Sequence, residues 1–311
     1  MLKDKKIAVI GIGGVGGYIA GMLTRTFSNV TLCARGKRGE SIRENGLILH
    51  SEFNGESVTK PVRVVESADQ IGPQDMIFVC VKNYSLEEVG KLLSGVVTKD
   101  TIIVPIMNGV DPGDTLRKCL PGATVIDSLI YIVAYAKGDY SVVQEGNFAD
   151  VKFGINHATE EEWAKVEEVS KVFTAAGISH ETSRDVEAEI WKKYILNCAY
   201  NVLTAVYNNT IGELRDDPIK AGEIVSLINE AYEVAVAKGV HVDRGHADAI
   251  IHRLLHVLDG SGTSSLQRDI WAGKTAEIDT FGGYLVHEAE KLGINVPVSK
   301  RMYQRLLELS N

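Results

Sequence analysis

The sequence holds little that would tie the protein to a membrane, a metal or a nucleic acid. No stretch approaches the roughly 18 apolar residues of a membrane-spanning helix. The first residues, MLKDKKIAVIGIGG, are not expected to be a signal peptide, because the short apolar run passes straight into a glycine-rich turn. Cysteine is scarce. Cys33, Cys80, Cys119 and Cys198 are scattered with no C-x-x-C pair, which argues against a disulfide framework or zinc site and fits free thiols in a reducing cytosol. Excess basic charge is missing too: the net charge of −8 argues against broad nucleic-acid binding, though a local basic pocket could still take a small anion. His252 and His256 stand four apart on an expected helix, but no third metal ligand is in reach. Repeats and low-complexity tracts are absent.

What is present is an ordinary globular composition, 45% apolar and 24% charged. A chain of 311 residues fits two domains. Ile7 to Ile10 form a short apolar run, suited to a buried parallel strand. Gly11-Ile12-Gly13-Gly14-Val15-Gly16 follows, and Tyr18 to Thr26 reads as a helix. This is G-x-G-x-x-G after a strand and opening a helix, the setting in which it binds a dinucleotide. Gly11 permits the tight turn, Gly13 lets a pyrophosphate approach the backbone, and Gly16 lets helix and strand pack closely. The helix N-terminus then offers free N–H groups to the phosphates. The bland alternative is a glycine-rich turn with no ligand.

Val30 to Ala34 is the second strand, and its end lacks the acid that an NAD site usually places on the ribose hydroxyls. Arg35, Lys37 and Arg38 stand there instead, and no acid occurs until Glu40. Cations at this point suit the extra phosphate of NADP(H), against a solvated basic turn as the alternative. Residues 46–65 alternate around Asn54-Gly55, the pattern of a hairpin attached to the sheet. Met76 to Val81 and Thr101 to Ile106 are further buried strands, ending at Lys82 and at Asn108-Gly109. Ligands of open α/β sheets bind beyond strand C-terminal ends, which puts Lys82 and Asn108 where a cofactor lies. Thr124 to Ile155 is strand-like, with turns expected at Gly138-Asp139 and Gly146-Asn147 and a change to antiparallel pairing. Glu160 to Ala176 is a helix, and Ile178 to Thr182 a last strand. The expected fold class is therefore α/β: a Rossmann-type doubly wound domain over residues 1–183, then an all-helical domain over residues 184–311.

The second domain opens with SRDVEAEIWKKYILNCAYNVLTAV, Ser183 to Val206. Ser183 can cap a helix, and Asp185, Glu187 and Glu189 load its first turns with negative charge. Lys193, Asn197 and Asn201 fall at i, i+4 and i+8 and so share one face, flanked by Ile190, Leu196, Ala199 and Leu203. Two readings compete: amides that bond neighbouring helices in a core, or a seam that faces a substrate. Lys193 is the one cation on that seam, since Lys192 points about 100° away. Helices are then expected from Asp217-Pro218 to Lys238, from Asp243 to Leu258, from Ser264-Ser265, from Glu277 to Leu292, and from Pro297 onward.

Together these residues resemble the ketopantoate reductase (2-dehydropantoate 2-reductase) family over nearly the whole length. The resemblance rests on GIGGVG at Gly11 to Gly16, Val81-Lys82, Asn108-Gly109, the Lys193, Asn197, Asn201 seam, Gly212 to Leu214, Ser264-Ser265, and Glu277 to Asp279. It implies a helical domain related to that of 6-phosphogluconate dehydrogenase, and NADPH-dependent reduction of 2-dehydropantoate to pantoate on the route to pantothenate and coenzyme A. It assigns Lys193 as proton donor. Asn197, Asn201, Ser264, Ser265 and Asn108 become substrate ligands. Gly11, Ile12, Gly13, Gly14, Val15, Gly16, Arg35, Lys37, Lys82, Asn108 and Glu277 fall on the cofactor side. A small 2-oxo acid is the expected partner, no metal, membrane or nucleic acid is expected, a homodimer is an open option, and the setting is cytoplasmic. Two positions depart from the family pattern: Val202, where many relatives carry proline, and Ile211, where some carry asparagine. The rival readings are a reductase of another 2-oxo acid and a non-catalytic NADP sensor, which would have no use for a Lys-Asn-Asn seam.

Overall fold

A computed structural model describes residues 2–310. The chain divides into two compact units, Met1–Val186 and Glu187–Asn311. In chain order the first holds β1 (Ile7–Ile10), α1 (Gly14–Thr26), β2 (Val30–Cys33), α2 (Gly36–Asn45), β3 (Leu47–Ser51), β4 (Ser57–Thr59), β5 (Arg63–Val65), β6 (Met76–Val79), α3 (Leu86–Leu93), β7 (Ile102–Pro105), α4 (Pro112–Cys119), β8 (Thr124–Val125), β9 (Asp127–Ala136), β10 (Val142–Gly154), α5 (Glu160–Ala176) and β11 (His180–Ser183). The second is helical: α6 (Val186–Tyr207), α7 (Ile211–Asp216), α8 (Pro218–Ala237), α9 (Arg244–His252), α10 (Ser265–Trp271), α11 (Tyr284–Leu292) and α12 (Pro297–Leu309).

Six parallel strands form the first sheet in the order β5-β2-β1-β6-β7-β8. The order reverses at β1, which is a topological switch point, and the glycine turn leaves the sheet there. Four consecutive buried residues in each of β1, β2, β6 and β7 reflect a sheet covered on both faces. One face packs on α3 and α4 through Leu86, Val89, Leu93 and Leu116. The other packs on α1, α5 and a second sheet, where Phe173 of α5 stacks on Phe78 at 5.3 Å and meets Phe153 edge-on at 5.4 Å.

That second sheet corrects the expectation of one continuous sheet turning antiparallel. Its order is β11-β10-β3-β4, with β9 antiparallel to β10. The hairpin at Asn54-Gly55 forms as Leu47↔Thr59 pairing, but it joins β10 and leaves the parallel sheet to β5. Gly146-Asn147 is no chain reversal. It lies in a bulge of β10, where the register against β9 shifts between Glu145 and Ala149. The fully buried Gln144 holds that bulge: its amide nitrogen reaches the carbonyls of Glu145 and Gly146 at 2.7 and 2.8 Å, and its carbonyl accepts from Ser51 Oγ at 2.5 Å.

In the second unit the centre of α6 is aromatic. Trp191 meets Tyr194 edge-on at 5.4 Å, and Tyr194 meets Tyr284 of α11 at 5.8 Å. The Tyr194 hydroxyl donates to the Thr280 carbonyl at 3.0 Å. Helix α8 buries Ile224, Leu227, Ile228 and Val234. Its Glu230 carboxylate accepts from the backbone N–H of Val298 and of Ser299, at 2.9 and 2.7 Å, and so caps α12. The expected helices at Asp243 and Glu277 both contain a π-turn, at Arg253–Val257 and Asp279–Gly283. Ser183 does not cap α6. It ends β11, and its hydroxyl accepts from the Asp185 N–H at 3.1 Å in the turn before the helix.

Candidate active site

The glycine turn of the first unit is shaped by what its residues lack. Gly11 sits at φ +88°, and a Cβ there would lie 2.8 Å from the Cys80 carbonyl oxygen. At Gly16 a Cβ would stand 1.9 Å from the Gly11 carbonyl oxygen, so only glycine lets α1 start this close to the turn. Gly13 differs: a Cβ there would meet nothing within 4 Å. Gly13 is also the N-cap of α1 and makes no side-chain cap bond. The space beside Gly13 at the start of α1 is therefore open, whereas a Cβ on Gly14 would lie 2.3 Å from the Ala134 carbonyl oxygen. A pyrophosphate fits the open side of the loop that Ile12, Gly14 and Val15 complete.

Beside this turn lies a cavity of 240 Å³, walled by Gly11, Ile12, Ala34, Arg35, Arg38 and Glu66 among others. Arg35 is the N-cap residue of α2, a helix the sequence reading did not foresee. Arg38, one turn on, donates to the Tyr140 carbonyl at 3.2 Å and lies 5.5 Å above the Tyr140 ring. Lys37 is exposed and stands outside the cavity wall. Lys82 is half-buried after β6, just past Val81, which lines the cavity. Asn108 lies in the bend after β7, where its carbonyl accepts from Asn83 Nδ2 at 2.7 Å. Glu66, Ser67 and Glu88 are wall residues that sequence reasoning missed. The signal for the first two was the short apolar pair Val64-Val65, which forms the end of β5 beside β2.

In the second unit α6 is one continuous α-helix from Val186 to Tyr207, through Val202. Asn197 and Asn201 are buried, at 7% and 6% exposure, and the Asn201 amide donates to the Asn197 carbonyl at 3.1 Å. Lys193 is half-buried one turn earlier. Burial lowers its pKa from the ordinary lysine value to about 8, and the negative charge of buried Glu277 opposes that shift. The neighbouring Lys192 is committed to Glu189 at 2.6 Å.

The two serines at the start of α10 differ in setting. Ser264 is 2% exposed, accepts from Thr204 Oγ1 at 2.7 Å and caps α10 by accepting from the Gln267 N–H at 3.1 Å. Its hydroxyl is spent on structure, whereas Ser265 is half-buried at the first position of the helix. Ile211, at the start of α7, is fully buried and takes a core position. Among the described residues no group of three His, Cys, Asp or Glu side chains could hold a metal, although the His252 and His256 rings lie 5.2 Å apart. Burial pushes the Cys33 thiol up to about 11 and Cys198 up to about 12, so neither is a ready nucleophile. No helix among the described residues is long and apolar enough to cross a membrane.

Residues 7–157 match the family model for ketopantoate reductase PanE/ApbA, and residues 185–310 match the model for its C-terminal domain. An uncharacterized oxidoreductase of Bacillus subtilis is 27% identical, over 97% of this chain and 97% of its own. A 2-dehydropantoate 2-reductase of Pyrococcus horikoshii is 25% identical, over 94% of each. The solved PanE/ApbA family ketopantoate reductase of Ralstonia eutropha superposes with a TM-score of 0.89, at 28% identity and 98% coverage of both chains. With its glycine turn at the switch point of a parallel sheet and its helical second unit, the chain belongs to the ketopantoate reductase family of NAD(P)H-dependent oxidoreductases.

Proposed function

We propose that this protein reduces 2-dehydropantoate to pantoate with NADPH, in the cytoplasm and on the route to pantothenate and coenzyme A. The observation that carries the reading is the α6 seam: a half-buried lysine with its pKa lowered to about 8, followed one and two turns later by two buried amides. NADPH supplies the hydride that reaches the ketone carbon. Negative charge then grows on the ketone oxygen, and a protonated Lys193 can both stabilise it and deliver a proton. A pKa near 8 leaves the ammonium mostly protonated at neutral pH and yet ready to give up its proton. Asn197, Asn201 and Ser265 can hold the substrate's carboxylate and hydroxyl, which fixes the carbonyl carbon for attack. The absence of an acid after β2 and the presence of Arg35 in the cavity support NADPH over NADH.

A reductase of another small 2-oxo acid is the second reading. Ile211 favours it, because a fully buried aliphatic side chain stands where the family resemblance would allow an asparagine contact to the substrate. Assaying 2-dehydropantoate beside a panel of branched and hydroxylated 2-oxo acids, by NADPH absorbance, decides between them. A value of kcat/KM at least ten-fold higher for 2-dehydropantoate than for any other acid is expected. Higher efficiency with another acid would move the assignment, and tight NADPH binding with no turnover on any acid would favour a sensor.

A further inference from the structure

The cavity beside the glycine turn carries an acid that the linear sequence hides. Strand β5 pairs with β2 in parallel, Cys33 opposite Val65, and the Ala34 N–H donates to the Val65 carbonyl at 2.9 Å. The two strands therefore leave the sheet side by side, and Glu66 emerges next to Ala34 and Arg35. Arg35, Arg38, Glu66 and Glu88 all line the cavity. An acid after β2 is the usual partner of the ribose hydroxyls of NAD and a repellent for a 2′-phosphate. Here that acid comes from the adjacent strand.

Its charge is answered by Arg43. The Arg43 Nη2 lies 3.2 Å from Glu66 Oε1, and both side chains are partly open to solvent. Arg43 can stand there because of Gly39, one helical turn earlier on the same face of α2. A Cβ on Gly39 would lie 2.3 Å from the Ala34 carbonyl oxygen, so α2 packs hard against the end of β2. The Arg43 guanidinium folds back to within 3.7 Å of that Cβ position. We propose that Arg43 is a positioning residue for cofactor choice: by pairing with Glu66 it keeps that carboxylate from opposing a 2′-phosphate beside Arg35 and Arg38. The pair thus sets the margin by which NADPH is preferred to NADH. This rests on the NADPH reading above.

Binding of 2′,5′-ADP and 5′-AMP by calorimetry at low salt tests it without turnover. These fragments differ by the 2′-phosphate alone. The wild-type chain is expected to bind 2′,5′-ADP more tightly. If it does not, the NADPH reading fails and the proposal falls with it. Given that preference, Arg43→Ala is expected to weaken 2′,5′-ADP by about three-fold and leave 5′-AMP unchanged, the size of an exposed charge pair. Arg43→Lys should retain most of the affinity, and Glu66→Gln in the Arg43→Ala background should restore it. Equal affinities for Arg43→Ala and Arg43→Ala/Glu66→Gln would overturn the role of Glu66 while leaving the NADPH reading intact. Parallel losses for both fragments would show that Arg43 only supports the fold of α2.

Discussion

The glycine turn and the α6 seam are two ways of building a polar site, and they fail in different ways. The turn works through backbone and vacancy: Gly13 faces open space, and Gly16 touches the Gly11 carbonyl with no room for a methyl group. The seam works through buried side chains whose properties are set by their neighbours: Asn201 bonds Asn197, and Glu277 acts on Lys193. A vacancy can be filled or kept but hardly tuned. A buried charge can be tuned by one neighbour at a time.

The largest effect is expected at the seam. Lys193→Ala should lower kcat by about 10² to 10⁴-fold, the usual worth of a general acid, while NADPH affinity by fluorescence titration stays near wild type. Less than a ten-fold loss would remove Lys193 from the proton-transfer step. The same residue exposes a cost. Burial holds its folded-state pKa below the unfolded value, so the charged form is disfavoured in the fold at neutral pH, and that penalty fades as pH rises from about 8 towards 10.5. Lys193→Met should therefore raise the thermal midpoint at pH 7 although it abolishes turnover. A lowered midpoint would mean that the ammonium stabilises the fold.

Two glycines separate the failures of the turn. Gly16→Ala drives a methyl group into backbone and should cost roughly 2–3 kcal/mol or more of stability, read by denaturant unfolding. Gly13→Ala meets nothing and should leave stability within about 1 kcal/mol. It should nonetheless weaken NADPH by ten-fold or more, because the methyl group occupies the space intended for the pyrophosphate. Unchanged NADPH affinity in Gly13→Ala would place the phosphates elsewhere.

What could be read from the sequence follows the same divide between local and distant causes. The β1–turn–α1 unit, the Glu160 to Ala176 helix, the Asp217-Pro218 start of α8 and the Ser264 cap of α10 are local, and their residues announce them. Helix α2 was hidden because GKRGESIREN has two glycines and buries only Gly39 and Ile42, too little periodicity to register. The second sheet depends on pairing across about 90 residues, such as Val142 with Leu49, which no local pattern encodes. Gly146-Asn147 reads as a turn, yet becomes a bulge because Gln144 bonds the carbonyls it exposes. Glu66 joins the cavity only through the β5–β2 pairing. On α6, spacing alone placed three polar groups on one face, but only the structure gives the Asn201–Asn197 bond and the influence of Glu277.

That influence gives the smallest effect and the finest test of the comparison. If Lys193 must be protonated, kcat/KM should fall above about pH 8, with one proton lost per active site. Glu277 opposes the downward shift that burial imposes on Lys193. Glu277→Gln keeps the shape and one accepting oxygen while removing the charge, so the lysine should lose its proton at lower pH. The alkaline limb should then move below 8, by a fraction of a pH unit to about one unit, with a modest loss at pH 7 and a larger one at pH 8. A limb that stays in place would mean that another group titrates there. A limb that moves upward would contradict the sign of the Glu277 interaction. Since Gly13→Ala leaves the charges around Lys193 unchanged, its limb should coincide with that of the wild type, even where NADPH must be raised to reach saturation.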